Sequence, residues 1–433
     1  MTSAASDFVS TASSSAATAQ NILFDVRPGE VSFSFGAPDE SLLRQIVPVL
    51  KQATIERLEA DPDAYTLLQY GPIAGDAVFI NQLAAFLRLH YNDPHVDATH
   101  LMATAGASQG LSFACTHLMK PGDPVLIEDP TYFLAEQLIL EHHLKTVGVR
   151  TDDDGINVED LEKQLKAIPI KNPSEGYSAM LYLVPTFSNP RGTTISHEKR
   201  QRIVALAHQY NVIVVCDDVY ELLCYKGAQP PVPRLFSYDA AILRDTPAAS
   251  KRGHVISNAS FSKIFGPGVR LGWIEAWVDI QEKLTNTGFM ASGGGVQHCM
   301  SGLMGTAIQN GSLDRVIAAL QAAYGARMAA VCAKLRQAIP AGVVNLIEPQ
   351  GGLFMWVEFR DTAVDTEALL ARARREFAVG FQPGNRFSQS KTFGHCMRLG
   401  IAFHPEAELL SGVDRLARLI HASIADGSIR VVP

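Results

Sequence analysis

The sequence has no surplus of positive charge, no cysteines at metal-binding spacing and no apolar run of membrane length. Its 37 Lys and Arg stand against 44 Asp and Glu, a net charge of -7. That balance argues against a nucleic-acid partner, because phosphate backbones are bound by surplus Lys and Arg. No uninterrupted apolar run approaches the length a bilayer span requires, so no membrane partner is expected. The cysteines Cys115, Cys216, Cys224, Cys299, Cys332 and Cys396 lack the CxxC spacing of a zinc site. They read as buried, reduced thiols of an intracellular protein, and no metal is expected. The first twenty residues are rich in Ser, Ala and Thr, carry Asp7 and contain no Lys or Arg. Residues 1–25 are therefore expected to be a disordered leader, without the basic charge of a transit peptide or the apolar core of a secretory signal. Cytoplasm is the default compartment.

What is present is ample core material, 433 residues of which 47% are hydrophobic, enough for two domains. One stretch organises the rest: Ser260, Phe261, Ser262, Lys263, then Gly266-Pro267-Gly268-Val269-Arg270. Short apolar strands are predicted before it, at His254-Val255-Ile256, and after it, at 272–277. Lys263 then sits in a turn between strands, where desolvation lowers an ammonium pKa toward the free amine that condenses with an aldehyde. Ser260 and Arg270 would supply donors to a dianionic phosphate. For this stretch alone, a solvated surface loop is the plain alternative.

The chain around it alternates. Strands are predicted at 101–104, 124–128, 145–149, 179–184 and 212–216, with helices at 77–91, 111–119, 134–142, 158–167 and 197–210. Near-continuous apolar strands alternating with helices predict a mostly parallel sheet covered on both faces, with function at the strands' carboxyl ends. The loop 105–110 aims helix N-terminal amides at an anion, so the N–H groups of Ala107, Ser108 and Gln109 and the Ser108 hydroxyl are candidate phosphate donors. Asp129 to Phe133 presents two aromatics, and Asn189-Pro190-Arg191-Gly192 is a turn after the strand 179–184. Asp217 and Asp218 follow the strand 212–216, three and two residues before Tyr220. From residue 312 the pattern changes to a long helix at 313–339 and a strand at 351–357. Arg398 interrupts an apolar strand, where an unpaired guanidinium would be costly, so it needs a carboxylate partner.

The lysine stretch, together with these motifs in the same order over about residues 25–425, resembles the class I/II aminotransferases, pyridoxal 5'-phosphate (PLP) enzymes of fold type I. The resemblance implies an α/β fold, with a large domain built on a mostly parallel sheet covered by helices plus a smaller α/β domain. Residues 26–60 would join the small domain, 61–311 form the large PLP-binding domain and 312–433 complete the small one. Lys263 would be the Schiff-base lysine and would move the substrate α-proton. Asp217 would hold the cofactor ring nitrogen, with Asp218 as the adjacent rival, and a buried carboxylate there would raise the nitrogen's pKa. Asn189 and Tyr220 would bond the phenolic oxygen, and Tyr132 would stack on the ring, with Phe133 as its competitor. Ala107, Ser108, Gln109, Ser260 and Arg270 would hold the phosphate. Tyr70 would reach the phosphate of a neighbouring subunit, which implies a homodimer; an aromatic anchoring its own loop is the alternative.

Gly36, Asn189 and Arg398 would meet the substrate, Arg398 through the α-carboxylate; an internal ion pair is its alternative, and a plain turn glycine is that of Gly36. The reaction implied is transamination between an L-amino acid and a 2-oxo acid, with a PLP-dependent lyase, cyclase or oxidase as the other reading. The tail motif Gly351-Gly352-Leu353-Phe354-Met355-Trp356 is similar to those of aminotransferases acting on 2-aminoadipate and on aromatic or aliphatic amino acids. Arg191 departs from the usual Thr of the Asn-Pro-x-Gly turn. Arg27 could serve an acidic side chain, the Pro-rich stretch 228–252 reads as an insertion near the site entrance, and 292–295 reads as a flexible loop at the dimer interface.

Overall fold

The structure, a computed structural model, describes residues 26–228, 232–247 and 250–432. The leader expected at 1–25 lies outside the described residues, as do residues 229–231 and 248–249 of the Pro-rich stretch.

A two-residue strand, β1 (Val31–Ser32), opens the described chain. The next eight strands build one sheet: β2 (Leu101–Thr104), β3 (Pro124–Asp129), β4 (Lys145–Asp152), β5 (Gly155–Ile156), β6 (Ala179–Leu183), β7 (Val212–Asp217), β8 (Val255–Ser260) and β9 (Gly272–Ala276). Their spatial order is β2-β9-β8-β7-β6-β3-β4-β5. Strands β4, β3, β6, β7 and β8 run parallel to one another, and β9 is antiparallel on both sides. The central strands β6 and β8 are buried along their whole length, as a sheet covered on both faces requires. The register places Leu183 beside Cys216 and Asp217 beside Asn258. The carboxyl ends of β6, β7 and β8 therefore lie side by side, and the loops leaving them converge.

Two helices depart from the sequence reading. The helix after β2 begins at Ala107 rather than Leu111. Its N-cap, Gly106, has φ +94, a conformation a side chain would strain, and Gly110 lies so close to β8 that a Cβ would come 2.0 Å from Asn258 Oδ1. Inside the Pro-rich stretch, Leu235–Asp245 is a helix packed on the helix His197–Tyr210 and on β8. Its buried Leu235, Phe236, Ala240 and Leu243 recur at helical spacing, a signal that the prolines before it obscure.

A second sheet, of order β10-β11-β14-β13, is antiparallel: β10 (Val344–Leu346), β11 (Phe354–Phe359), β13 (Gln382–Pro383) and β14 (Cys396–Gly400). Strand β12 (Val379–Gly380) pairs instead with β1. The helix Ser312–Ala338 packs on the helix Glu406–Ala425. At 27 residues it is long and apolar enough to cross a membrane by length and composition, although charged residues interrupt its apolar run. Leu313, Val316, Ile317, Leu320, Tyr324, Met328, Val331 and Leu335 recur every three or four residues and are buried, the stripe of a core helix.

The segment after β1 is threaded between the two sheets. Phe33 donates its N–H to Gly380 O at 2.8 Å and accepts from Gly400 N–H at 2.7 Å. Asp39 caps the helix Glu40–Ala60 by accepting from the N–H groups of Ser41 and Leu42, and pairs with buried Arg327 at 2.6 Å. Ser34 to Ala37 are thereby held over the carboxyl ends of the large sheet. No disulfide joins the cysteines among the described residues, but Cys299 is exposed and Cys224 half-buried, against the expectation that all are buried. Cys299 stands in the first turn of the helix His298–Gln309, on a face the core does not cover.

Candidate functional site

A cavity of about 420 Å³ opens where these strand ends meet the Ser34–Ala37 segment. One end is built to receive an anion. Ala107 and Ser108 line it as the first two residues of their helix, ahead of the first hydrogen-bonded amides, so their N–H groups and the helix dipole face the space. The N–H of Gln109 is spent on Gly106 O at 3.1 Å, and its side chain accepts from Ala105 N–H. Gln109 is thus not placed as a phosphate donor: because the helix starts at Ala107, its amide is already committed. Asn258 Nδ2 pins the helix start through Ala107 O at 2.8 Å. Ser260, the last residue of β8, places its Oγ 2.9 Å from Ser262 Oγ. Arg270 reaches the same end in a left-handed conformation, φ +48, with Nη2 3.3 Å from Ala105 O. Holding a non-glycine residue there costs about 1 kcal/mol, strain of the kind that clusters at ligand clamps.

Lys263 lies in the turn after β8, and its Nζ donates to Gly36 O at 2.7 Å. Burial pushes its amine down to about 8, with Arg398 and Arg270 adding to the effect and Asp217 opposing it. Across the cavity Asp217 ends β7. Burial pushes its carboxyl up to about 6, against the hydrogen bond from Tyr182 and the charge of Lys263. Asp217 Oδ2 accepts from the Tyr182 hydroxyl at 2.7 Å, whereas Oδ1 has no partner among the described residues. Asp218 points away: successive strand residues face opposite sides, and its carboxylate accepts from Ser257 Oγ in a network with Arg234. Asp217 is therefore the carboxylate that faces the cavity.

Arg398, 4% exposed on β14, donates through Nη1 to Asn189 Oδ1 at 2.7 Å and through Nη2 to Ser34 O at 2.6 Å. Its guanidinium lies 4.0 Å from the Phe354 ring centroid and 4.8 Å from that of Phe387. No ion pair among the described residues includes it, so the internal pair that sequence left open is absent from them. Burial pushes this guanidinium down to about 10, opposed by Tyr220 and Tyr132. Because Asn189 Oδ1 is taken by Arg398, its amide NH2 remains as the donor toward the cavity. Gly36 lines the cavity, and a Cβ there would meet the Phe354 ring at 2.3 Å. Tyr132 and Tyr220 also line it, both held neutral: burial raises Tyr132 to about 12 and Tyr220 higher still.

Tyr70 is not in the cavity. It is 79% exposed, on a loop tied by a bridge between Gly71 and Gly294. Ser292 and Gly293, read as part of a flexible loop, belong to the short helix Gly288–Gly293. Arg27 is exposed, and Arg191 turns its guanidinium to Asp152 O and Thr151 Oγ1; neither lines the cavity. No described residue of the Pro-rich stretch lines it either. Sequence reasoning missed the apolar wall of Phe35, Leu134, Leu138 and Phe354, which comes from separate segments of the chain, and Ser262, whose spacing from Lys263 was its only signal. Glu358, His395 and Cys396 bring possible metal-ligand atoms within 4.8 Å of one another on the small sheet, and none of the three lines the cavity.

The residues fit a phosphorylated pyridine aldehyde. Asp217 Oδ1 is an orphaned acceptor for a ring N–H, Lys263 is a desolvated amine, and the helix start with Ser260 and Arg270 forms an anion cradle.

Residues 29–416 match the family Aminotransferase class I and II. The chain is 31% identical to aromatic-amino-acid aminotransferase 1 of Thermococcus litoralis over 86% of this chain and 84% of that one. Among solved structures it resembles a multiple substrate aminotransferase from Thermococcus profundus, TM-score 0.80 and 27% identity, over 98% of this chain and 97% of that one. It also resembles an alpha-aminoadipate aminotransferase from Thermus thermophilus complexed with N-(5'-phosphopyridoxyl)-L-leucine, TM-score 0.77 and 25% identity, over 94% and 95%. These relatives favour transamination over the lyase, cyclase and oxidase readings. The chain belongs to the class I and II aminotransferases, and it is a PLP-dependent aminotransferase of fold type I.

Proposed function

We propose that this aminotransferase takes its amino group from L-amino acids with large apolar or aromatic side chains, using Arg398 to hold the α-carboxylate and Lys263 to move the α-proton. The observation that carries this reading is Arg398 itself, a buried guanidinium between two aromatic rings with no carboxylate partner among the described residues. The cations lining the cavity are Lys263, Arg270 and Arg398, and Arg270 stands at the anion-receiving end. Arg398 is thus left for one substrate carboxylate, while Phe35, Phe133, Leu134, Leu138 and Phe354 offer apolar surface to the side chain.

When bound, PLP supplies the electron-withdrawing ring that makes α-proton loss from the amino acid accessible. Asp217 would keep the ring nitrogen protonated through ion pairing, Asn189 and Tyr220 would donate to the phenolic oxygen, and Tyr132 would offer the ring an aromatic face. Ala107, Ser108, Ser260 and Arg270 would hold the phosphate. Lys263 Nζ would hold the aldehyde, and as a free amine it would accept the substrate α-proton and return it. Of the named relatives, the aromatic-amino-acid aminotransferase supports the donor class.

The working form is proposed to be a cytoplasmic homodimer in which Tyr70 reaches the neighbouring subunit's phosphate site. Exposed Tyr65, Leu68, Tyr70 and Phe289 support such an interface, and the absence of disulfides among the described residues suits a reducing compartment. Residues 26–60 and 312–433 are proposed as the small domain and 61–311 as the large. The β1–β12 pair and the Asp39–Arg327 bridge support the grouping, although the helix Glu40–Ala60 also packs on His298–Gln309.

Adding single amino acids to the loaded enzyme without any 2-oxo acid tests the donor class. Phenylalanine, tyrosine and leucine are expected to discharge the near-visible cofactor band at least about tenfold faster than aspartate, the discrimination a hydrophobic pocket supplies. Faster reaction with aspartate would overturn the donor assignment. The pKa directions give a second expectation. PLP capture by the apo-protein needs ionised Asp217 and unprotonated Lys263, so its rate should climb with pH through about 6 and about 8 and level off above that. At pH 7 an amine with a pKa near 8 is about one-tenth unprotonated, hundreds of times more than an ordinary lysine. Stopped-flow absorbance checks this, and a rate still climbing steeply at pH ~9 to ~10 would mean an unperturbed amine.

A further inference from the structure

Tyr182 stands at the centre of β6, wholly buried, in register with Ile127 on β3 and Val215 on β7. Its ring fills the core behind the cavity, and its hydroxyl emerges at one point, 2.7 Å from Asp217 Oδ2. An ionised carboxylate is an acceptor with two oxygens, and both need donors when it is taken out of water. Here one oxygen is bonded to a fixed donor, and the other, Oδ1, is out of contact with solvent and without a partner among the described residues. We propose that Tyr182 is a positioning residue for transamination: its hydroxyl holds Asp217 ionised and turned so that Oδ1 is presented to the cofactor's ring nitrogen. This rests on the reading of Asp217 given above.

A phenol suits the task because it donates without adding charge and, with its ionisation suppressed by burial and by Asp217, keeps its proton. The other groups facing Asp217 do not replace it. Lys263 would be taken up by the cofactor aldehyde, Asp218 repels and is tied to Ser257, and Tyr132 and Tyr220 line the open cavity. Among the described residues, Tyr182 alone bonds the Asp217 carboxylate, and it does so from the core side, where a bound cofactor would not displace it.

Tyr182→Phe keeps the ring and removes the donor. Asp217 pairs with a protonated ring nitrogen only while ionised, and losing a donor to the charged form raises a carboxyl pKa. The pH below which PLP affinity falls should therefore move up by about one unit. Equilibrium dialysis of apo-protein against PLP from pH ~5 to ~9 reads this without turnover. The acid limb of kcat should move the same way, with kcat at pH ~6.5 about threefold lower and KM little changed. A Tyr182→Phe protein whose affinity and kcat profiles overlay the wild type would overturn the proposal, since packing alone would then explain the residue. Asp217→Asn separates the two levels of the argument. If it flattens the pH dependence of PLP affinity while Tyr182→Phe matches wild type, the Tyr182 role fails and Asp217 stands; if Asp217→Asn itself leaves the profile unchanged, the Asp217 reading fails.

Discussion

Lys263→Ala is expected to lower turnover by at least about four orders of magnitude, because in the proposed mechanism one amine both attaches the cofactor and moves the substrate proton. The structure gives the site no second amine: Lys263 is the only lysine among the described residues that line the cavity. Its surroundings suit that role: burial together with Arg398 and Arg270 favours the neutral amine, while Asp217 keeps the shift moderate. The anion cradle of Ala107, Ser108, Ser260 and Arg270 remains in the variant, so PLP should still associate reversibly. Borohydride reduction followed by peptide mass analysis separates the two properties. Wild type should yield a phosphopyridoxyl group on Lys263 and the variant none; a stable adduct on another lysine of the variant would remove Lys263 from the chemistry.

The second large effect is expected at Arg398. Arg398→Ala should weaken amino acid binding by roughly 3 kcal/mol, more than a hundredfold, because truncation removes a desolvated, two-pronged donor to the carboxylate and leaves Asn189 Oδ1 without its partner. PLP occupancy should hold, because none of the residues placed at the anion end bonds to Arg398. Arg398→Lys keeps the charge but not the planar fork, and should recover only part of the loss. Amino acid titration of each variant, read on the cofactor band, gives the apparent affinities. An Arg398→Ala protein that binds amino acids as tightly as wild type would sink the carboxylate assignment.

The places where sequence reading falls short share a cause. The sequence groups Gln109 with Ala107 and Ser108, yet the helix starts early enough to consume its amide, and helix boundaries are read from sequence only to within a few residues. The helix Leu235–Asp245 is hidden by the prolines before it. The wall of Phe35, Leu134, Leu138 and Phe354 assembles from segments more than three hundred residues apart at the extreme, so no window of sequence contains it.

By itself the sequence determined the alternation of apolar strands and helices, the parallel sheet that follows from it, and the set of polar residues placed just after strand ends. These are local properties: burial on both faces dictates unbroken apolar strands, and a strand-to-helix turn dictates glycine and hydroxyl residues. The tertiary structure decided which of those residues meet. It turned Asp217 inward and Asp218 to Ser257, set the Tyr182 hydroxyl against one carboxylate oxygen, and left Arg398 between Phe354 and Phe387 with no described carboxylate beside it. Those outcomes depend on strand register and on contacts between residues 35, 209 and 364 positions apart, which packing sets and local propensity does not.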